Sequence, residues 1–132
     1  MGARGPVSRP VAGAPCDAPP VPAEIQADAI AVAAWRALAG HLARLGLWRD
    51  ETAHLVLLAA QLESRRRRAE EAITAQGMTV LDQRGRIAMH PAVRIADACG
   101  REIRAIYRDL GLIGGARQGE REDLGGWLDF AD

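Results

Sequence analysis

The chain has 132 residues, with 17 Arg, no Lys and 17 acidic residues, for a formal net charge of zero. That length bounds it to one domain at most. No apolar run approaches the roughly 20 residues that span a bilayer, and no apolar core opens the N-terminus, so neither membrane insertion nor export is expected.

Residues 1–22 carry Pro6, Pro10, Pro15, Pro19, Pro20 and Pro22. Proline fixes the backbone and removes amide donors, so a disordered or extended arm is expected here. From Glu24 to Leu45 the pattern is helical, with Ala27, Ala31, Trp35, Leu38, Leu42 and Leu45 on one face. Ala33, Ala34, Ala37 and Gly40 leave room for a neighbouring helix. Gly46 is a good stop, and Asp50 is a good N-cap for a further helix.

A second helix is expected from about Glu51 to Gln76. Leu55, Leu58, Leu62, Ala69, Ala72 and Ile73 form its apolar seam. Arg65, Arg66, Arg67 and Arg68 interrupt that seam. Each residue turns about 100° around the helix axis, so four in a row point nearly all the way round. Arg65 or Arg66 is therefore expected near the seam. Two readings stay open for this cluster. One is a solvated face with Glu63–Arg67, Arg66–Glu70 and Arg67–Glu71 pairs one turn apart. The other is a surface for phosphate or for a neighbouring subunit.

Gly77 closes the second helix. Met78–Leu81 and Arg86–Met89 read as short strands joined by a turn that opens at Asp82 and closes at Gly85. A lone hairpin is marginal in water, so it must pack on the helices or on another chain. Pro91 suits the first turn of a third helix, which runs to Leu110 and Gly111. Ala92, Ile95, Ala96, Cys99, Ile103, Ile106 and Leu110 make its apolar stripe. Arg94, Asp97, Arg101, Arg104 and Arg108 fall on another face at helical spacing. That stripe is the best basic surface in the chain, either solvated or set against phosphate. After Arg117 the helical pattern fails.

Charge is unevenly placed. Residues 78–118 hold seven Arg against four acids, whereas residues 119–132 hold Arg121 against Glu120, Glu122, Asp123, Asp129 and Asp132. Trp127, Leu128 and Phe130 sit together in that acidic end. They read either as a linear motif for a protein partner or as a cluster tucked onto the chain's own core. The expected organisation is an arm over residues 1–22, a helical domain over 23–118 and an acidic tail over 119–132. The fold class is mainly α, a three-helix core with one short β-hairpin between the second and third helices.

Catalytic chemistry is not legible. With no Lys, a phosphate loop ending in Gly-Lys-Ser or Gly-Lys-Thr is excluded. His41, His54 and His90 lie on separate elements without partners at metal-ligand spacing. Cys99 sits in an apolar stripe and reads as a small buried hydrophobe. Cys16 and Cys99 make no disulfide framework, which fits a reducing, cytoplasmic setting. No cofactor or metal is expected, and no enzymatic activity.

The order of these parts resembles the small subunit of bacteriophage terminases. The resemblance runs from about Pro22 to Arg117. It rests on Trp35 in the first helix, Leu45-Gly46-Leu47 with Asp50, Gly77 before a hairpin with Gly85, His90-Pro91, and Leu110-Gly111-Leu112 followed by Arg117. The family often has Pro after the last Gly-Leu pair, where this chain has Ile113-Gly114-Gly115. It often has Asn-Pro where this chain has His90-Pro91. The resemblance implies a non-catalytic, ring-forming protein, in a phage or a gene transfer agent. Such a protein would bind double-stranded DNA in the host cytoplasm and hand it to the large terminase subunit. A helical DNA-binding regulator of a mobile element, or a structural adaptor that binds no nucleic acid, is the alternative.

Overall fold

A computed structural model of the chain describes residues 13–112. Three helices, α1 (Ala29–Leu45), α2 (Ala53–Gln76) and α3 (Pro91–Asp109), are joined by a hairpin of β1 (Thr79–Leu81) and β2 (Ile87–Met89) between α2 and α3. The expected fold class is therefore observed. The described part of the Pro-rich segment, residues 13–22, is extended and lies back along α1. Its Gly13 N–H donates to the Gly46 carbonyl at 2.6 Å and its Cys16 N–H to the Ala43 carbonyl at 3.1 Å. Trp35 Nε1 donates to the Pro19 carbonyl at 3.5 Å.

The first two helices start later than their periodicity implies. Ala23–Ile25 is a separate 3₁₀ turn, and α1 begins only after Asp28. Asp28 stands extended and its Oδ1 accepts from the Ile30 and Ala31 amides at 3.1 and 3.2 Å, which sets the N-cap. Asp50 does not cap α2. It opens a 3₁₀ turn over Asp50–Thr52, and its carboxylate accepts instead from Trp48 Nε1 at 3.0 Å. The Trp48 ring in turn stands edge-on to buried Trp35, with centroids 5.8 Å apart. His90 caps α3, with Nδ1 accepting from the Ala92 amide at 3.0 Å and Pro91 in the first turn. Its Nε2 side meets Gln76 at the end of α2.

The stops of α1 and α3 repeat one device. Gly46 and Gly111 both take left-handed backbone, at φ 71° and 85°. The Leu after each glycine donates its amide five residues back, Leu47 to the Leu42 carbonyl and Leu112 to the Tyr107 carbonyl. This bond ties off otherwise unsatisfied helix carbonyls. A Cβ at position 46 would also overlap the Gly13 carbonyl that crosses there.

Helix α2 packs against both α1 and α3. Two neighbours widen its buried arc beyond the single seam expected. Val56, Ala59, Ala60, Leu62, Glu63, Ser64 and Ala69 are buried, whereas Leu58 is left exposed at the edge of the arc. The main core joins Trp35, Leu38 and Leu42 of α1 to Val56 and Leu62 of α2 and to Ile103, Ile106 and Tyr107 of α3. A smaller cluster of Ala69, Ala92 and Ala96, backed by Ala72 and Ile73, lies towards the hairpin. In α3 the stripe holds as expected, except that Ile95 is exposed and Tyr107 is buried.

One carboxylate joins α1 to α2. Besides capping α1, Asp28 accepts from the Ser64 hydroxyl through Oδ2 at 2.5 Å and pairs with Arg68 at 3.2 Å. Its pKa is held below the ordinary 3.8, foremost by the Ser64 hydroxyl. The Ala31 amide, the Arg68 guanidinium and the Ile30 amide act the same way, and partial burial opposes them.

A carboxyl whose folded pKa is depressed adds stability that is full above its unfolded value and is lost as pH falls through its folded value. Acid unfolding of the chain should therefore steepen below about pH 4, and Asp28→Asn should remove that component while keeping the cap. Asp28→Ala should cost about 2 kcal/mol at neutral pH, from the lost cap and the orphaned Ser64 hydroxyl. Urea titrations across pH measure both effects. The same assay separates two glycines. Gly46→Ala should destabilise by about 1–3 kcal/mol through its left-handed backbone. Gly100→Ala, inside α3 with nothing within 4 Å of an added Cβ, should stabilise by about 0.5–1 kcal/mol.

Candidate nucleic-acid interface

The four Arg of α3 occupy one side of the helix. Taking about 100° per residue, Arg94, Arg101, Arg104 and Arg108 centre almost opposite the buried stripe of Ala92, Ala96, Cys99, Ile103 and Ile106. All four are exposed, and none has an ion-pair partner among the described residues. Asp97 shares their side and lowers its net charge. From Arg94 to Arg108 the row runs about 21 Å along the axis. Its geometry suits a line of phosphates, because guanidinium forks hydrogen-bond phosphate oxygens in pairs.

The Arg65–Arg68 cluster is divided differently. Glu63 is buried and holds two of its members. Arg66 meets it bidentately, Nε to Oε1 and Nη2 to Oε2, both at 2.9 Å. Arg67 Nε reaches Oε2 at 2.8 Å. Arg66 also pairs with Glu70 at 3.6 Å, and Arg68 pairs with Asp28. The expected Glu63–Arg67 and Arg66–Glu70 pairs are present, whereas the Arg66–Glu63 pair and the Arg68–Asp28 link add to them. Arg65 points outward, exposed. Three guanidiniums of the cluster thus meet the fold's own carboxylates, although Arg68, like Arg65, is exposed. Burying such a carboxylate is tolerable only because it is paired and hydrogen-bonded.

Three further titratable groups are shifted by burial. Burial raises the Cys99 thiol, keeping it protonated. Burial, with Glu63 nearby, pushes the Tyr107 phenol up to about 12. Burial, assisted by Arg44, lowers His41 and keeps its ring neutral. Among the described residues no group of His, Cys, Asp and Glu is arranged to hold a metal ion, and no helix is long and apolar enough to cross a membrane. Trp127, Leu128 and Phe130 lie outside the described residues.

Two features escape sequence reasoning. The Asp28–Ser64 bond joins positions 36 residues apart, and no local pattern announces it. The outer face of the hairpin is apolar yet exposed, at Leu81, Ile87 and Met89. Its alternation is visible in the sequence, but not which face meets solvent.

No curated protein and no solved structure matches the chain. A family model described as the phage terminase small subunit matches residues 31–122. The match takes in nearly all of α1, then α2, the hairpin and α3, and so includes both Arg groups and both left-handed glycine stops. The chain belongs to the phage terminase small-subunit family.

Proposed function

We propose that the chain is the non-catalytic, DNA-recognising subunit of a phage-type packaging machine. Family membership supports a role in phage DNA packaging. The observation that carries the DNA-binding part is the α3 row, Arg94, Arg101, Arg104 and Arg108. It faces away from the core and is not consumed by internal ion pairs. One such row makes only a few phosphate contacts, so affinity per subunit is low and salt-sensitive. A ring of copies would multiply those contacts along one duplex through effective concentration. Arg65 extends the basic surface as a secondary contact, while Arg66, Arg67 and Arg68 act first as structural ions. The large terminase subunit is the protein partner, inside the bacterial host cell. Trp127, Leu128 and Phe130 serve as buried anchors and the surrounding acids steer the encounter.

The charge reversal Arg101→Glu with Arg104→Glu tests this reading. Duplex binding, followed by fluorescence anisotropy across salt concentrations, should weaken for all sequences alike. The salt slope should fall by about one unit for each phosphate contact removed. Circular dichroism should be unchanged, because both residues are exposed. Light scattering should give a mass above a dimer for the native chain and for the variant. Unaltered duplex affinity in the variant would move the DNA surface away from α3. A native chain that stays monomeric at micromolar concentration would overturn the ring.

A further inference from the structure

The hairpin presents an apolar face that the helices do not cover. Thr79 pairs with Met89 and Leu81 with Ile87, so these four side chains share one face of the ribbon. Val80 and Ala88 take the other face and are half-buried. Leu81 is 70% exposed and Ile87 77%, the highest values among the large apolar residues described. A contiguous patch of this kind marks a contact surface. Its border is basic. Arg84 and Arg86 stand exposed at the tip without an ion-pair partner among the described residues. The nearest acid is already engaged, since Asp82 Oδ1 accepts from the Arg84 and Arg86 amides at 2.8 and 2.9 Å. The face therefore fits bulky apolar side chains flanked by carboxylates.

The chain carries that chemistry in its own C-terminal end. Trp127, Leu128 and Phe130 lie among Glu120, Glu122, Asp123, Asp129 and Asp132. Reach is sufficient. The last described residue, Leu112, is at the far end of α3 from the hairpin, and α3 is about 28 Å long. The 15 residues from Leu112 to Trp127 span up to about 50 Å when extended.

We propose that residues 127–130 seat on the outer face of the hairpin of their own chain, their acidic neighbours set against Arg84 and Arg86. Tethering keeps the effective concentration of the segment high, so modest contacts suffice. The same aromatics can then engage another protein only after leaving the hairpin. This docking does not depend on DNA packaging, and its test contains neither DNA nor a large subunit.

Methyl NMR on the full chain reads the contact directly, because Trp and Phe rings shift nearby methyl resonances. The native chain is compared with Trp127→Ala plus Phe130→Ala. The methyls of Leu81, Ile87 and Met89 should move in this variant, while those of core Leu42 and Val56 stay. Arg84→Glu with Arg86→Glu should move the Leu81 and Met89 methyls in the same direction. Unmoved hairpin methyls in the aromatic variant would overturn the proposal. So would hairpin shifts that follow protein concentration in that variant, which would assign the face to a second copy. In a third measurement, labelled aromatic variant is mixed with unlabelled native chain. Return of the hairpin methyls to their native positions would show a neighbour's segment on that face and overturn docking within one chain. Persistence of the variant positions supports it.

Discussion

Asp28 divides its two carboxylate oxygens between two helices. Oδ1 closes the amides that open α1, and Oδ2 takes the Ser64 hydroxyl of α2. The start of one helix and its register on the next are thereby set by a single side chain. This matters because small residues make up much of the interface beside Trp35, Leu38, Leu42, Val56 and Leu62. Ala31, Ala34 and Ala39 of α1 and Ala59 and Ala60 of α2 are all buried. Alanine surfaces approach closely but interlock weakly, so apolar packing alone tolerates sliding. A directional hydrogen bond from the buried Ser64 hydroxyl does not, since a shift leaves that hydroxyl without a partner.

The same stretch of α2 explains how the basic residues are partitioned. Ser64 faces Asp28, and its neighbour Glu63 is buried as well. Two adjacent polar positions inside the fold require compensation; Arg66 and Arg67 provide it for Glu63, and Asp28, itself paired with Arg68, for Ser64. What reads as one basic run is thus divided, with Arg66 and Arg67 set on buried Glu63 and with Arg65 and Arg68 exposed. The α3 row differs because its own helix buries only apolar side chains and Tyr107 on the opposite side. No internal acid competes for its guanidiniums. The structure separates arginines that hold the protein together from arginines that face its surroundings, although the two groups have the same composition.

Much of this fold is legible from sequence, for local reasons. Leu45-Gly46-Leu47 and Leu110-Gly111-Leu112 encode helix stops in three residues each, and both are found where expected. His90-Pro91 encodes a start in two. The turn at Asp82 needs only its own carboxylate and Gly85. Helix starts at Glu24 and Glu51 fail because side-chain partners, one distant and one two residues away, decide them. Asp28 is recruited by Ser64 and Asp50 by the Trp48 indole, and each leaves a 3₁₀ turn ahead of the α-helix. Leu58 is misplaced because periodicity describes one stripe, whereas α2 serves two neighbours. The Arg row of α3 is readable because a helix with one buried stripe has one opposite side. The fate of Arg66 is not, because it depends on Glu63 being buried by α1 and α3.

The two apolar clusters along α2 are unequal in depth. Near Val56 and Leu62 the helix is embedded between α1 and α3, with aromatic rings on both sides. Beyond Arg68 its apolar support is the small cluster with Ala92 and Ala96, through Ala69, Ala72 and Ile73. A helix supported in this way has a firm half and a yielding half. Few apolar contacts oppose a local opening of the yielding half, whereas Trp35, Leu42 and Ile106 belong to the larger cluster. The end that carries Arg84, Arg86 and Arg94 is thus held by a smaller apolar cluster than the end around Trp35, Leu42 and Ile106.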